Sequence, residues 1–175
     1  VVCTREPGGT PSAEILRELV TTGEVNKWEP MTEALLMFAS RHEHTKNLII
    51  PSLENGKWVL CDRFYHSTYA YQGLGHGLGL EAMESLKKTS IGEIEPDLVF
   101  FLDIDPVEGI KRTMGRNTNE NRFEKMDISF HTKLREAFLD FSKIYSENSV
   151  VINANQEINK ISDVIFEEIE KRFKI

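Results

Sequence analysis

Four short runs of apolar and β-branched residues punctuate the chain, at 1–4, 58–61, 98–102 and 150–152. None alternates strictly between apolar and polar positions, which is the pattern of strands covered on both faces of a parallel sheet. Between the runs the apolar spacing turns helical. Thr10-Pro11 reads as an N-cap followed by the first helical residue, with Ile15, Leu16 and Leu19 on one face. A longer helix starts near Thr32 and carries Leu35, Leu36 and Ala39, then Leu48 and Ile49. Pro51 should kink or break it, and Gly56 should end the segment. Further helices fit 81–88, 106–114, 125–145 and 158–173. Strands alternating with helices predict βαβ units and a parallel sheet flanked by helices. The pattern shows no repeat and no linker, so residues 1–175 read as one α/β domain.

Composition narrows the function classes. Hydrophobic residues make up 40% and charged residues 28%, so disordered and fibrous readings fall away. The net charge of −7 is a poor match for a nucleic-acid binder, whose footprint should be basic. A local cluster of arginines on an acidic protein still suits a phosphorylated small molecule. No apolar run approaches the roughly 18 residues that span a bilayer, and no signal peptide opens the sequence. Cys3 and Cys61 lie within strand-like runs, where reduced, buried thiols are expected. A cytoplasmic domain without a disulfide framework follows as the expectation. The chain opens in mid-strand without Met, so it is expected to begin some way inside its gene product.

Four clusters carry candidate chemistry. Thr4-Arg5-Glu6-Pro7-Gly8-Gly9-Thr10 runs from a strand end through a glycine pair into a capped helix. Ligands of open α/β sheets bind outside strand carboxyl ends, and a helix start offers free N–H groups to an anion. An ordinary turn with a solvated arginine is the other reading. Asp62-Arg63 follows the second strand, with Ser67, Thr68, Tyr71 and Gln72 behind it. Asp62 could hold Mg²⁺ beside a polyphosphate, and Arg63 could bridge phosphate oxygens through its fork. In a helix, Ser67 with Tyr71 and Thr68 with Gln72 would share faces at i,i+4. Met37, Phe38 and Arg41 offer an apolar platform beside a guanidinium, or simply core. The basic stretch Lys111-Arg112-Thr113-Met114-Gly115-Arg116, with Arg122 beyond it, reads as a mobile loop of the kind that closes over phosphates, or as solvated surface. The glycine-rich stretch at 73–79 fits no phosphate-cradling pattern. His42 and His44, two apart on a helix, face different ways and suggest no zinc site.

Taken together, the Thr-Arg-Glu-Pro-Gly-Gly loop, the helix ending at Arg41, Asp62-Arg63 with Ser67-Thr68 and Tyr71-Gln72-Gly73, Pro96-Asp97-Leu98 and the basic loop resemble the bacterial thymidylate kinase family over essentially the whole chain. The resemblance implies transfer of the ATP γ-phosphoryl to dTMP with Mg²⁺, a five-stranded parallel sheet of the P-loop kinase type, and a helix-packed homodimer. It implies that Arg17 and Arg63 grip the acceptor phosphate and that Arg41, Thr68 and Gln72 face the base. Tyr71 would lie against the deoxyribose, near Ser67, and Asp62 near Mg²⁺, with Glu6 ordering the phosphate region. Arg112, Arg116 and Arg122 become lid candidates at about 112–124, and Asn155-Gln156 resembles the adenine loop. Two departures stand out. The family's base-stacking helix usually has Phe where Met37 stands, with Phe38 one place later. Its first strand and GxxxxGK[ST] loop would precede Val1, so the chain as written should show no dTMP-dependent ATP consumption. We take it as part of a complete enzyme. A related kinase with another acceptor, or an inactive nucleotide-binding module, are the rival expectations.

Overall fold

A computed structural model describes residues 1–113 and 121–175. Its strands are β1 (Val2–Arg5), β2 (Val59–Asp62), β3 (Val99–Asp103) and β4 (Ser149–Asn153). β1 pairs in parallel with β2, placing Arg5 opposite Asp62, and β3 pairs in parallel with β4, placing Asp103 opposite Asn153. The two pairs share no ladder among the described residues. Each pair is joined by a helical crossover, as parallel neighbours require. The carboxyl ends of β1, β2 and β4 run into the loops that carry Arg5 to Thr10, Arg63 and Asn155-Gln156.

The first crossover opens with α1 (Pro11–Thr21), where Thr10 Oγ1 accepts the Ala13 N–H at 3.4 Å and Pro11 takes the first helical position. α2 (Pro30–His44) is longer, and its α-helical regularity is interrupted ahead of Pro51 without the chain leaving the helix. The chain widens into a π-helical stretch at Thr45–Ile49 and continues as α3 (Ile50–Glu54), with Pro51 in its first turn. Proline lacks an N–H and crowds the carbonyl four residues back, and a widened turn ahead of it relieves both. Gly56, at φ +68°, ends the segment as its sequence suggests.

After β2 come α4 (Tyr65–Thr68), a second π-helical stretch at Tyr69–Gly75, and α5 (Leu80–Ile91). The second half contains α6 (Pro106–Thr113), α7 (Ile128–Ile144) and α8 (Ile158–Phe173). α7 starts three residues later than its apolar spacing suggests. Asp127 accepts the Phe130 N–H at 2.9 Å and fixes the N-cap there. The core joins α2, α4, α5, β3 and α7 through Phe38, Tyr65, Met83, Phe101 and Phe141.

The expectation of two buried thiols fails. Along β1 and β2 side chains alternate between half-buried and exposed, so Cys3 and its register partner Leu60 share the open face. Cys61 is half-buried, and burial pushes its thiol pKa up.

Candidate active site

The loop after β1 is held by side chains rather than offered to a ligand. Gly8 N–H donates to Ser40 Oγ at 3.1 Å, and Gly9 N–H donates to Glu14 Oε1 at 2.9 Å. The N–H groups of both glycines are thus paired within the fold, while the helix start expected to offer N–H groups to an anion is α1. Gly9 sits at φ +90°, and a Cβ there would come within 2.5 Å of the His44 ring and 2.6 Å of Thr4 Oγ1. Only glycine fits this close approach. Arg5 lies on the outside, 3.1 Å from Glu14, while Arg17 reaches from α1 to the Pro7 carbonyl at 2.8 Å.

Glu6 goes inward and is 4% exposed. One carboxylate oxygen accepts from Arg41 Nε at 2.7 Å, and the other lies 3.0 Å from His44 Nδ1. The far nitrogen of His44 is 2.7 Å from Thr4 Oγ1, so a chain of contacts runs Thr4–His44–Glu6–Arg41. Arg41 then donates through Nη2 to Thr68 Oγ1 at 3.0 Å. Its guanidinium lies 4.8 Å from the Phe38 ring centroid and 5.7 Å from that of Phe64. Arg41 Nη1 is buried and has no partner among the described residues.

A second rung lies two helical turns earlier on α2. Gln72 Nε2 donates to Glu33 Oε1 at 2.6 Å, and Arg122 Nη1 pairs with Glu33 Oε2. Gln72 Oε1 is buried and unpartnered, like Arg41 Nη1. Glu33, Met37 and Arg41 fall at i, i+4 and i+8, so one stripe of α2 meets Thr68 and Gln72 with buried Met37 between the rungs. Phe38 is turned into the core. This is the pairing of Thr68 with Gln72 that their spacing suggests. Ser67 and Tyr71 are half-buried and are linked through Arg63: Arg63 Nη1 donates to Ser67 Oγ at 3.3 Å and its guanidinium lies 5.7 Å from the Tyr71 ring. The Tyr71 ring meets Phe123 and Phe130 edge-on, with centroids 5.3 and 6.1 Å apart.

Arg63 holds the backbone at φ +69°, the left-handed region that a residue of its size rarely adopts. Such strain persists where the surroundings impose it, and it gathers at ligand-binding sites. Asp62, just before it, is exposed at the carboxyl end of β2 and gives its carbonyl to the Glu6 N–H at 2.9 Å.

At the ends of β3 and β4, Arg112 Nη1 donates to the Ala154 carbonyl at 2.9 Å, so α6 is tied to the Asn155-Gln156 loop. That loop is folded on Asn153, whose Oδ1 accepts the Asn155 N–H at 2.8 Å and whose carbonyl accepts from Gln156 Nε2 at 2.7 Å. Arg135 grips Asp103 through two bonds, at 2.6 and 2.9 Å, which holds the Asp103 carboxyl below the usual carboxylate range. Arg116 lies outside the described residues.

Arg122 departs from the lid reading. It is 1% exposed, and besides Glu33 it donates to the carbonyls of Glu24, Val20 and Val25 at 2.9, 3.1 and 2.7 Å. With four of its five N–H donors spent on the interior, this buried guanidinium is not presented to a transferring phosphate. The sequence reading also passes over Glu33 and His44. Their signal is the presence of polar, titratable side chains on the same stripe of α2 as Met37 and Arg41, which only a ligand or a buried network can justify.

These arrangements can be set beside known proteins. Residues 1–165 match the family model described as Thymidylate kinase. The thymidylate kinase of Magnetococcus marinus is 42% identical over 99% of this chain and 82% of its own length. That of Lactobacillus acidophilus is 41% identical over 97% of this chain and 79% of its own length. The chain belongs to the thymidylate kinase family. A crystal structure of thymidylate kinase from Ehrlichia chaffeensis superposes with a TM-score of 0.70 at 32% identity, covering 90% of this chain and 71% of that one. The parallel strands and flanking helices are therefore those of a P-loop kinase fold.

Proposed function

We propose that the protein transfers the γ-phosphoryl group of ATP to dTMP, giving ADP and dTDP on the route to dTTP. The reading is carried by two of the five buried atoms that have no partner among the described residues, the donor Arg41 Nη1 and the acceptor Gln72 Oε1, which lie on facing helical segments. Buried polar groups are nearly always paired, and an orphan calls for a ligand or a water. Thymine presents a carbonyl oxygen beside an N–H, the complement of one donor and one acceptor. Met37, between the two rungs, supplies a polarisable thioether to the face of the ring. Phe38 backs Arg41 from the core. Thr68 and Glu6 hold the same guanidinium from its other nitrogens.

Arg63 and Arg17 bind the acceptor phosphate, with Ser67 bracing Arg63. Asp62 holds Mg²⁺ through water; a single exposed carboxylate suits an ion that keeps several waters and leans on substrate phosphates. When bound, Mg²⁺ neutralises charge on the phosphates during transfer. Asn155 and Gln156 line the adenine of ATP, with Arg112 beside them. Two copies pack through α1 and α2, which expose Ile15, Leu35 and Met31. The acidic charge gives no support for a nucleic-acid partner. No described helix is long and apolar enough to cross a membrane. A cytoplasmic place of action is part of the proposal and rests on the family.

A panel of nucleoside monophosphates with ATP tests the reading in the full-length protein. The highest kcat/KM should fall to dTMP, and preference for any other acceptor overturns it. The thymine methyl itself adds only about 1–3 kcal/mol of discrimination against dUMP.

Tyr71 is the residue proposed to separate deoxyribose from ribose. A 2′-hydroxyl forced against its ring loses water without gaining a partner, which costs roughly 1–3 kcal/mol. Tyr71→Ala should lose efficiency on dTMP yet narrow the gap to the ribonucleotide by about tenfold. An unchanged ratio of the two kcat/KM values would make Tyr71 a packing residue held by Phe123 and Phe130.

A further inference from the structure

We propose that Glu33 is a positioning residue that sets base specificity by fixing which end of the Gln72 amide faces the nucleobase. The inference rests on the reading that Gln72 meets the base. A glutamine amide is ambivalent: turned one way it accepts, turned the other it donates. Left free, Gln72 would serve thymine, whose ring nitrogen at position 3 carries a hydrogen, or cytosine, whose same nitrogen is a bare acceptor.

Glu33 removes that freedom. It is 1% exposed, and its carboxylate meets Gln72 at 2.6 Å. An ionised carboxylate only accepts, so the nitrogen of Gln72 must face it. The oxygen is then left buried and unpartnered, as observed. Charge on Glu33 is essential to this logic. Burial pushes its pKa up, but hydrogen bonds from His76, Gln72 and Arg122, with the charge of Arg122, bring it below the ordinary carboxylate range. Arg122 pairs with the other oxygen, so the carboxylate presents a fixed acceptor to Gln72. His76 Nε2, at 3.5 Å, approaches the same oxygen as Gln72.

The network gives an unusually directed test. In Glu33→Gln, Arg122 still donates and draws the new amide oxygen toward itself. The new NH₂ then faces Gln72, which must turn its oxygen to it and its own NH₂ to the base. The variant should therefore invert the hydrogen-bonding sense of the site instead of merely weakening it.

Steady-state kcat/KM for dTMP and dCMP is measured in the wild type, in Glu33→Gln and in Gln72→Met. Gln72→Met should reduce the dTMP preference, since it removes the contact altogether. Glu33→Gln should lower the dTMP:dCMP ratio by about tenfold or more, with the loss concentrated in KM for dTMP. Loss of activity that scales both substrates alike is a structural effect and overturns the proposal. If Gln72→Met leaves the ratio unchanged, the base contact itself is wrong and the inference falls with it. If Gln72→Met changes the ratio and Glu33→Gln does not, the contact stands and only the role of Glu33 fails. An arm that does not depend on the Glu33 variant uses ¹⁵N-labelled wild type, with the Gln72 side-chain NH₂ signals assigned by their absence in Gln72→Met. Those protons should be protected from solvent exchange both without nucleotide and with dTMP bound. Fast exchange in the nucleotide-free protein overturns the proposal even if the Glu33 variant does not fold.

Discussion

Arg63→Ala should lower kcat/KM for dTMP by at least about a hundredfold while leaving the melting temperature nearly unchanged. The side chain is exposed at the carboxyl end of β2, and its contacts are with Ser67 and the Tyr71 ring, so little packing is lost with it. A hydrogen bond to a charged group contributes about 1.5–3 kcal/mol, and a guanidinium fork on a phosphate makes two. Each 1.36 kcal/mol is tenfold in rate, which gives about a hundredfold as the lower bound. The backbone offers a control. At φ +69° alanine stays strained, whereas glycine relaxes the position at no steric cost. Arg63→Gly should therefore be at least as stable as Arg63→Ala and equally impaired. Thermal melts with kinetics on both variants check this. Destabilised variants with full activity per folded molecule would make Arg63 a structural residue.

The sequence makes the elements legible where local chemistry dominates. Thr10-Pro11 and Gly56 mark their boundaries because capping and left-handed backbone are decided within a few residues. Pro51 marks a disturbance but not its form, because the relief of a proline depends on the turn before it, and a π-helical stretch is not visible as a period of 3.6. Cys3 misleads for another reason: a four-residue strand shows its apolar character but not which of its faces is covered. In the site, the i,i+4 spacing of Thr68 and Gln72 is readable, but their partners are not. Arg41 and Glu33 reach them from 27 and 39 residues away, and such pairings follow from how α2 crosses α4 and the π-helical stretch behind it. Met37 and Phe38 illustrate the same limit. Adjacent on the chain, they are separated by a rotation of about 100° on the helix, and only the crossing decides which one faces the rungs.

Arg122→Ala should destabilise the fold by about 3–5 kcal/mol, because removing one partner of a buried pair leaves the other charge uncompensated. For a chain of this size about 1 kcal/mol corresponds to roughly 2–4 °C, so the melting temperature at pH 7 should fall by about 6–20 °C. The three backbone carbonyls that Arg122 also satisfies add to the loss. The effect has a pH signature. In the wild type Glu33 has a depressed pKa, so its stabilisation is present above the unfolded value of about 4.3 and is lost as pH falls through the folded value. Without Arg122, Glu33 loses a hydrogen bond and a positive charge that lower its pKa, so its folded pKa rises from the wild-type value. The variant's Glu33 then takes up its proton at a higher pH than the wild type's, and the deficit of the variant should shrink as pH drops from 7 toward the ordinary carboxylate range. Melting both proteins across that range measures it. A phosphate-binding lid arginine behaves in the opposite manner, lowering kcat and kcat/KM together with the melting temperature intact. That outcome would return Arg122 to the lid, whereas a large, acid-narrowed loss of stability makes it the anchor that holds residue 122 against the carbonyls of residues 20–25 and keeps Glu33 charged.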